Sequence, residues 1–206
     1  MKIKICGITN AEDALAAWEA GADALGFVFA REARKRNRYI APETAREIIA
    51  KLPPFLVTVA VTVNEPLERL REYLQFVDRV QLHGEEPAEV CRAIGPRAIK
   101  AFRAGPDLDM AAMRQCPAGA CLLDAAVMGE RGGTGKVCDW NTARSVVEAG
   151  LRIILAGGLT PENVGDAVRS VRPYAVDVSS GVESMPGKKD HEKIRQFIQN
   201  ARSAMA

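Results

Sequence analysis

The sequence predicts an α/β fold, a single (β/α)8 TIM barrel, and three observations predict it. Eight short runs rich in β-branched and other apolar residues recur along the chain. Amphipathic stretches carrying helix start and stop signals lie between them. With 206 residues, each strand-plus-helix unit has about 26 (206 divided by eight), close to the minimum for a crossover connection. Strict alternation implies a parallel sheet, and eight units favour a closed barrel over an open sheet. No low-complexity linker marks a boundary, so residues 1–206 are expected to form one barrel domain.

The first run is KIKIC (2–6), in which Ile3 and Ile5 alternate with Lys4 and Cys6. Gly7 then permits a sharp turn. Thr9 or Asn10 caps a helix with Glu12 and Asp13 in its first turn and a stop at Gly21. ALGFVF (24–29) precedes the basic stretch RKRNRYI (34–40) and a helix over APETAREIIAKL, where Pro42 suits the first turn. FLVTVAVTV (55–63) leads into EPLERLREYLQF, and RVQLH (79–83) into EPAEVCRAIG. RAIKAF (97–102) and ACLLD (120–124) follow as the fifth and sixth runs. RIILAGG (152–158) precedes a helix beginning near Thr160-Pro161-Glu162, and YAVDVSSG (174–181) precedes the terminal HEKIRQFIQNARSAMA.

Composition narrows the function classes. A 48% hydrophobic content supports a large core, while 26% charged residues with a net charge of +2 give a balanced surface. That charge offers no special affinity for nucleic acid or an anionic membrane. Five cysteines without close CxxC pairs argue against a disulfide framework or a structural zinc site. No signal peptide or bilayer-length apolar run is visible, so a cytoplasmic location is expected.

In a barrel of this kind, functional groups sit at the C-terminal ends of strands and in the loops that follow. Cys6, His83, Asp124, the Gly157-Gly158 pair and Ser179-Ser180-Gly181 all fall there. Cys6 alone among the cysteines stands at a strand exit. Alternation places Lys4 with Cys6, Gln81 with His83, and Asp177 with Ser179. In the third run it sets Val57, Val59, Val61 and Val63 on one face, and Thr58, Ala60, Thr62 and Asn64 on the other. The polar faces are expected to point into the barrel and the apolar ones toward the helices.

Gly157 and Gly158 after the seventh run, with Ser179, Ser180 and Gly181 after the eighth, suit a phosphate. Glycine lets backbone N–H groups approach an anion closely, and these two loops are the recurring phosphate position of the fold. The glycine-rich GERGGTGKV (129–137) does not fit a nucleotide P-loop, because Glu130 and Val137 occupy its defining positions. It reads instead as a flexible loop covering a substrate.

Cys6 ahead of a helix start reads either as an inert buried thiol or as one whose thiolate fraction is raised by the helix. Asp124 reads as a helix cap or as a catalytic acid, and His83 as a pocket group or a structural one. The basic run 34–40 reads as a solvated surface, or as the source of one guanidinium for a carboxylate, with Arg38 the best placed. His191, opening the last helix, is expected in solvent.

KICGIT, GADALGFVF, RYI, VQLHGEE, LLD, GGTGK with a following DW, LAGGLTPENV and DVSSGVE with PGKKD occur in order over nearly the whole chain. In these motifs the sequence resembles the phosphoribosylanthranilate isomerases of tryptophan biosynthesis. The resemblance implies an Amadori rearrangement of N-(5-phosphoribosyl)anthranilate to the 1-deoxyribulose phosphate product. Cys6 would be the general base, Asp124 the general acid, and Arg38 the group holding the anthranilate carboxylate. The two loops would hold its phosphate, and Gln81, His83 and Asp177, like Lys4, either bind the substrate or support the pocket, which the sequence does not separate. Every step is a proton transfer, so neither a metal nor an organic cofactor is implied.

Two other readings remain open on the residues. A different sugar-phosphate isomerase on this barrel, such as the related histidine-pathway enzyme, would carry a second aspartate in place of Cys6. A non-catalytic phosphometabolite-binding barrel would leave Cys6 and Asp124 idle. The expected partner is a small phosphorylated sugar-amine, with the chain a monomer or a homodimer.

Overall fold

The computed structural model describes residues 1–105, 107–125 and 138–204. Eight parallel strands close a barrel in chain order: β1 (Lys2–Cys6), β2 (Ala24–Val28), β3 (Val57–Thr62), β4 (Arg79–Leu82), β5 (Ala98–Ala104), β6 (Ala120–Ala125), β7 (Ile153–Leu155) and β8 (Ala175–Val178). β8 pairs back onto β1, with Lys4 opposite Asp177. Around the barrel lie α1 (Ala11–Glu19), α2 (Pro42–Ile49), α3 (Leu67–Tyr73), α4 (Ala88–Ile94), α5 (Met110–Gln115), α6 (Trp140–Glu148), α7 (Val164–Val171) and α8 (His191–Ser203). The loop 129–137 lies outside the described residues.

The side-chain period of two divides every strand between two cores. Ile3, Ile5, Leu25, Phe27, Leu82, Leu123, Leu155 and Val176 face the helices, where the larger core lies. Val59, Ile99, Leu122, Ile154 and Ala175 meet inside and fill the lower barrel. This apolar plug gives the site above it a solid floor.

Lys4 with Cys6, Gln81 with His83, and Asp177 with Ser179 do point inward. β3 reverses the expectation: Val57 and Val59 join the inner cluster, and Thr58, Ala60 and Thr62 face outward. Polarity misleads here because the threonines find partners in the outer layer. Thr58 Oγ1 donates to Asp78 Oδ2 at 2.7 Å, and Thr62 Oγ1 to the Gln81 carbonyl at 3.1 Å. The plug, in turn, needs branched apolar volume.

Asn10 caps α1, its Oδ1 accepting from the Asp13 N–H at 2.8 Å. α7 starts at Val164, later than Thr160-Pro161-Glu162, because Asn163 ties the preceding turn back on itself. β8 is followed by a 3-10 turn (Ser180–Val182) and a hairpin of β9 (Glu183–Met185) and β10 (Lys188–Lys189) that the strand pattern did not announce. Its signal was the Pro186-Gly187 pair, a turn-former read only as part of a motif. The hairpin straps across the mouths of two other loops: Thr9 Oγ1 donates to the Gly187 carbonyl at 2.6 Å, and Gly187 packs against the Asn37 carbonyl. His191 is not in open solvent, since its Nε2 lies 2.8 Å from Asp13 Oδ1 in the seam between α1 and α8.

Candidate active site

At the C-terminal ends of the strands opens a cavity of about 740 Å³. Cys6, Arg38, Gln81, His83, Asp124, Gly157, Gly158, Asp177, Ser179 and Ser180 all line it. Gly181 does not; it sits behind the cavity, where a β-carbon would collide with the Leu159 carbonyl. Its role is to let the two loops pack, not to face the opening. Lys35, Arg36, Glu85 and Arg103 add charge to the lining, none of them expected from strand-end positions alone.

Cys6 closes β1, and Gly7 with φ +76° turns the chain away so that the Gly7 and Ile8 N–H groups both donate to the Gly26 carbonyl. Gly26, opposite Cys6 in the register, leaves room for the sulfur: a β-carbon there would stand 2.6 Å from Sγ. Burial pushes the thiol up from its ordinary range; the Lys4 ammonium pulls it back, Asp177 adds to the rise, and Lys189 lowers it least. The helix start does not supply the tuning, since α1 begins five residues on at Ala11. Lys4 pairs with Asp177, its Nζ 2.9 Å from both carboxylate oxygens. Burial opposes the charge on Lys4, yet Asp177 and then Cys6 hold the ammonium above its ordinary range.

Asp124, next to last in β6, lies on the inward face. Its Oδ1 accepts from the Ala125 N–H at 2.8 Å, and its Oδ2 lies 3.2 Å from His83 Nε2. The helix after β6 is capped by Asp139 instead, so Asp124 does not cap it. Gly157 makes space for this carboxyl, because a β-carbon there would approach Asp124 Oδ1 to 2.8 Å. His83 Nδ1 in turn meets Gln81 Nε2 at 2.8 Å, which orients the ring between amide and acid. Gln81 Oε1 is buried with no hydrogen-bond partner among the described residues.

Gly157 and Gly158 both adopt left-handed backbone, φ +87° and +63°. Asn163 fixes their loop: Nδ2 donates to the Gly158 carbonyl at 2.9 Å, and Oδ1 accepts from the Thr160 N–H at 2.8 Å. With Ser179 and Ser180 beside it, the arrangement suits a phosphate held by backbone N–H and hydroxyl groups.

Arg38 reaches the cavity wall with its guanidinium forked onto Glu183, Nε to Oε1 and Nη2 to Oε2 at 2.8 Å each. Burial would raise the Glu183 carboxyl, but Arg38 and Lys189 hold it below the ordinary carboxylate range. Among the described residues, no group of three or more His, Cys, Asp or Glu side chains is placed to hold a metal ion.

Cys6 on β1, Asp124 on β6 and the two glycine- and serine-rich loops between them form one site. A profile of the N-(5'-phosphoribosyl)anthranilate (PRA) isomerases matches residues 3–200. The chain belongs to the PRA isomerase family. The PRA isomerase of Trichlorobacter lovleyi is 51% identical over 207 residues, covering 100% of both chains. A PRA isomerase solved in complex with reduced 1-(o-carboxyphenylamino)-1-deoxyribulose 5-phosphate has a TM-score of 0.84 at 45% identity, covering 98% of this chain and 99% of that one. The Thermotoga maritima PRA isomerase, a dimeric enzyme solved as generated monomers, gives 0.85 at 44% identity over 98% and 99% of the two chains.

Strand-end reasoning missed three groups around this PRA isomerase site: Asp13, Glu183 and Lys189. Each is buried and charged, and each lies on a helix or on the hairpin, away from the barrel strands. The Pro-Gly turn was the one sequence signal that could have brought the last two forward.

Proposed function

We propose that Cys6 is the general base and Asp124 the general acid in the conversion of PRA to 1-(2-carboxyphenylamino)-1-deoxyribulose 5-phosphate. This conversion is the step of tryptophan biosynthesis that the chain performs. One observation carries the assignment: Cys6 on β1 and Asp124 on β6 line one cavity, with the β7 and β8 loops between them. A phosphate seated on Gly157, Gly158, Ser179 and Ser180 would hang the sugar between the two groups.

Asp124 gives its proton to the furanose oxygen as the C1–O bond breaks, and the anilino nitrogen lone pair closes an iminium. The iminium acidifies the C2 proton, which the Cys6 thiolate removes; the C–H electrons form the C1–C2 double bond of the enolamine. Tautomerisation moves the C2 hydroxyl proton out and brings a proton to C1, giving the ketone. Asp124 has then lost one proton and Cys6 gained one, and exchange through the open cavity restores both. His83 steadies Asp124, Asp177 steadies Lys4 beneath Cys6, and Gln81 Oε1 supplies a buried acceptor for a substrate hydroxyl. Arg38 takes the anthranilate carboxylate from the β2 side.

The substrate is a small phosphorylated sugar-amine, in keeping with a cavity of this size and lining. Among the described residues no helix is long and apolar enough to cross a membrane. A cytoplasmic setting fits five free cysteines. The dimeric relative supports a homodimer, and the monomers generated from it a monomer.

The test follows the fluorescence loss of PRA generated in situ with wild-type, Cys6→Ala and Asp124→Asn proteins. Each variant should retain the fold and lose roughly 10²–10⁴-fold in kcat. Near-wild-type turnover by either folded variant removes that residue from its role.

A further inference from the structure

We infer that Lys189 is a positioning residue for the isomerisation, its buried ammonium group supporting the Cys6 thiolate and the Arg38 fork from behind the cavity. The side chain is 0% exposed and does not line the opening, so it touches no substrate. From β10 it reaches in beneath the β8 loop, with Nζ 3.1 Å from the Ser179 carbonyl and 3.2 Å from Glu183 Oε1. That same carboxylate oxygen accepts from Arg38 Nε at 2.8 Å. One carboxylate is therefore shared between two cations.

The convergence is centred on the residue after Cys6. A β-carbon on Gly7 would lie 2.9 Å from Ser179 Oγ and 3.5 Å from both Arg38 Cδ and Lys189 Nζ. Glycine at this position is what lets the three side chains close over the end of β1. Lys4 and Asp177 form a neutral pair, and the Lys189 backbone N–H and His191 share Asp13. Lys189 and Arg38 share Glu183, and among the described residues the Cys6 thiol is a further group near Lys189 that can carry negative charge. Burying an ammonium group is costly unless it is paired, and Lys189 shares its carboxylate partner with Arg38. Burial holds Lys189 below its ordinary range, with Glu183 and Cys6 acting against that.

This inference rests on Cys6 acting as the base. Its test reads the Cys6 titration directly, by peptide-resolved iodoacetamide labelling against pH, alongside the pH profile of kcat/KM. In Lys189→Met the labelling midpoint should move up by about one pH unit, and kcat/KM on the acid limb should fall roughly tenfold. Lys189→Arg, which keeps the charge, should restore most of both. A folded K189M protein with an unmoved Cys6 midpoint overturns the proposal even if its activity drops. In the wild-type protein, the Lys189 ¹³Cε resonance should show an inflection at the Cys6 midpoint that vanishes in Cys6→Ser; a flat trace overturns the proposal without any lysine variant. Full activity in Cys6→Ala would instead remove the base assignment on which the inference stands, a separate outcome that overturns both.

Discussion

Lys4 on β1 and Asp177 on β8 are register partners across the seam that closes the barrel, and their side chains meet inside it with Nζ 2.9 Å from both carboxylate oxygens. The contact closes the barrel, and on the proposed chemistry it also serves the base. It ties the last strand to the first, and it places an ammonium group directly beneath Cys6, two residues along the same face. A buried pair of this kind adds little net stability, but breaking it strands a charge. Lys4→Met should cost roughly 3–5 kcal/mol in urea denaturation, because Asp177 is left unpaired. It should also push the Cys6 thiol further up and lower kcat. Lys4→Met combined with Asp177→Asn should recover most of the stability but not the rate. Recovery of both would show that Lys4 serves the seam alone.

The barrel was legible because its signals are local and repeated: alternation, caps and βα spacing report on a few residues at a time. The positions of Cys6, Gln81, His83, Asp124 and the β7 and β8 loops followed from strand ends alone. β3 runs against its polarity pattern because its two threonines satisfy their hydroxyls in the outer layer, against Asp78 and the Gln81 backbone. The surroundings of Cys6 were legible only in part: alternation sets Lys4 on its face, whereas Lys189 lies at the far end of the chain and only the fold brings it to the end of β1. His191 and Asp13 are a contact of the same long-range kind, separated by 178 residues.

Gly26 carries a sharper expectation. It faces Cys6 across the β1–β2 register, and a β-carbon there would stand 2.6 Å from Sγ, 3.1 Å from the Cys6 Cα and 3.1 Å from Lys4 Cε. Its backbone does not need the left-handed region, so Gly26→Ala tests space alone. The thiol has to move off its line to the substrate C2. The variant should fold, with a Tm lowered by a few degrees, and lose at least about tenfold in kcat with little change in KM. Unchanged kcat would mean that the sulfur needs no fixed position.

Asn163 fixes the loop proposed to hold the substrate's phosphate. Its side chain bridges the Gly158 carbonyl and the Thr160 N–H, holding two left-handed glycines in the shape that exposes their backbone. Asn163→Ala removes both bonds without touching Cys6 or Asp124. KM for PRA should rise roughly tenfold, and inorganic phosphate should weaken equally as a competitive inhibitor, with kcat nearly unchanged. A loss confined to kcat would place the β7 loop outside phosphate binding.

The acid limit of stability follows from two buried glutamates. Burial opposes the charge on Glu86, but Lys100 at 2.8 Å, the Asn64 N–H and its own N–H hold it below the ordinary carboxylate value of 4.5. Glu183 is held down in the same sense by Arg38 and Lys189. For a depressed carboxylate, the unfolded chain binds its proton first as pH falls. The stabilisation is therefore complete above the unfolded value and is lost as pH drops through the folded one. Melting curves should show a Tm that falls progressively as the pH drops below about 5. Glu86→Gln should flatten part of that fall while leaving the activity profile near neutral pH in place. Glu183→Gln should flatten the fall too, and in addition raise KM, because its carboxylate orients Arg38. If both variants keep the full acid slope, the two pairs do not set the acid limit and the stabilising charge lies elsewhere in the chain.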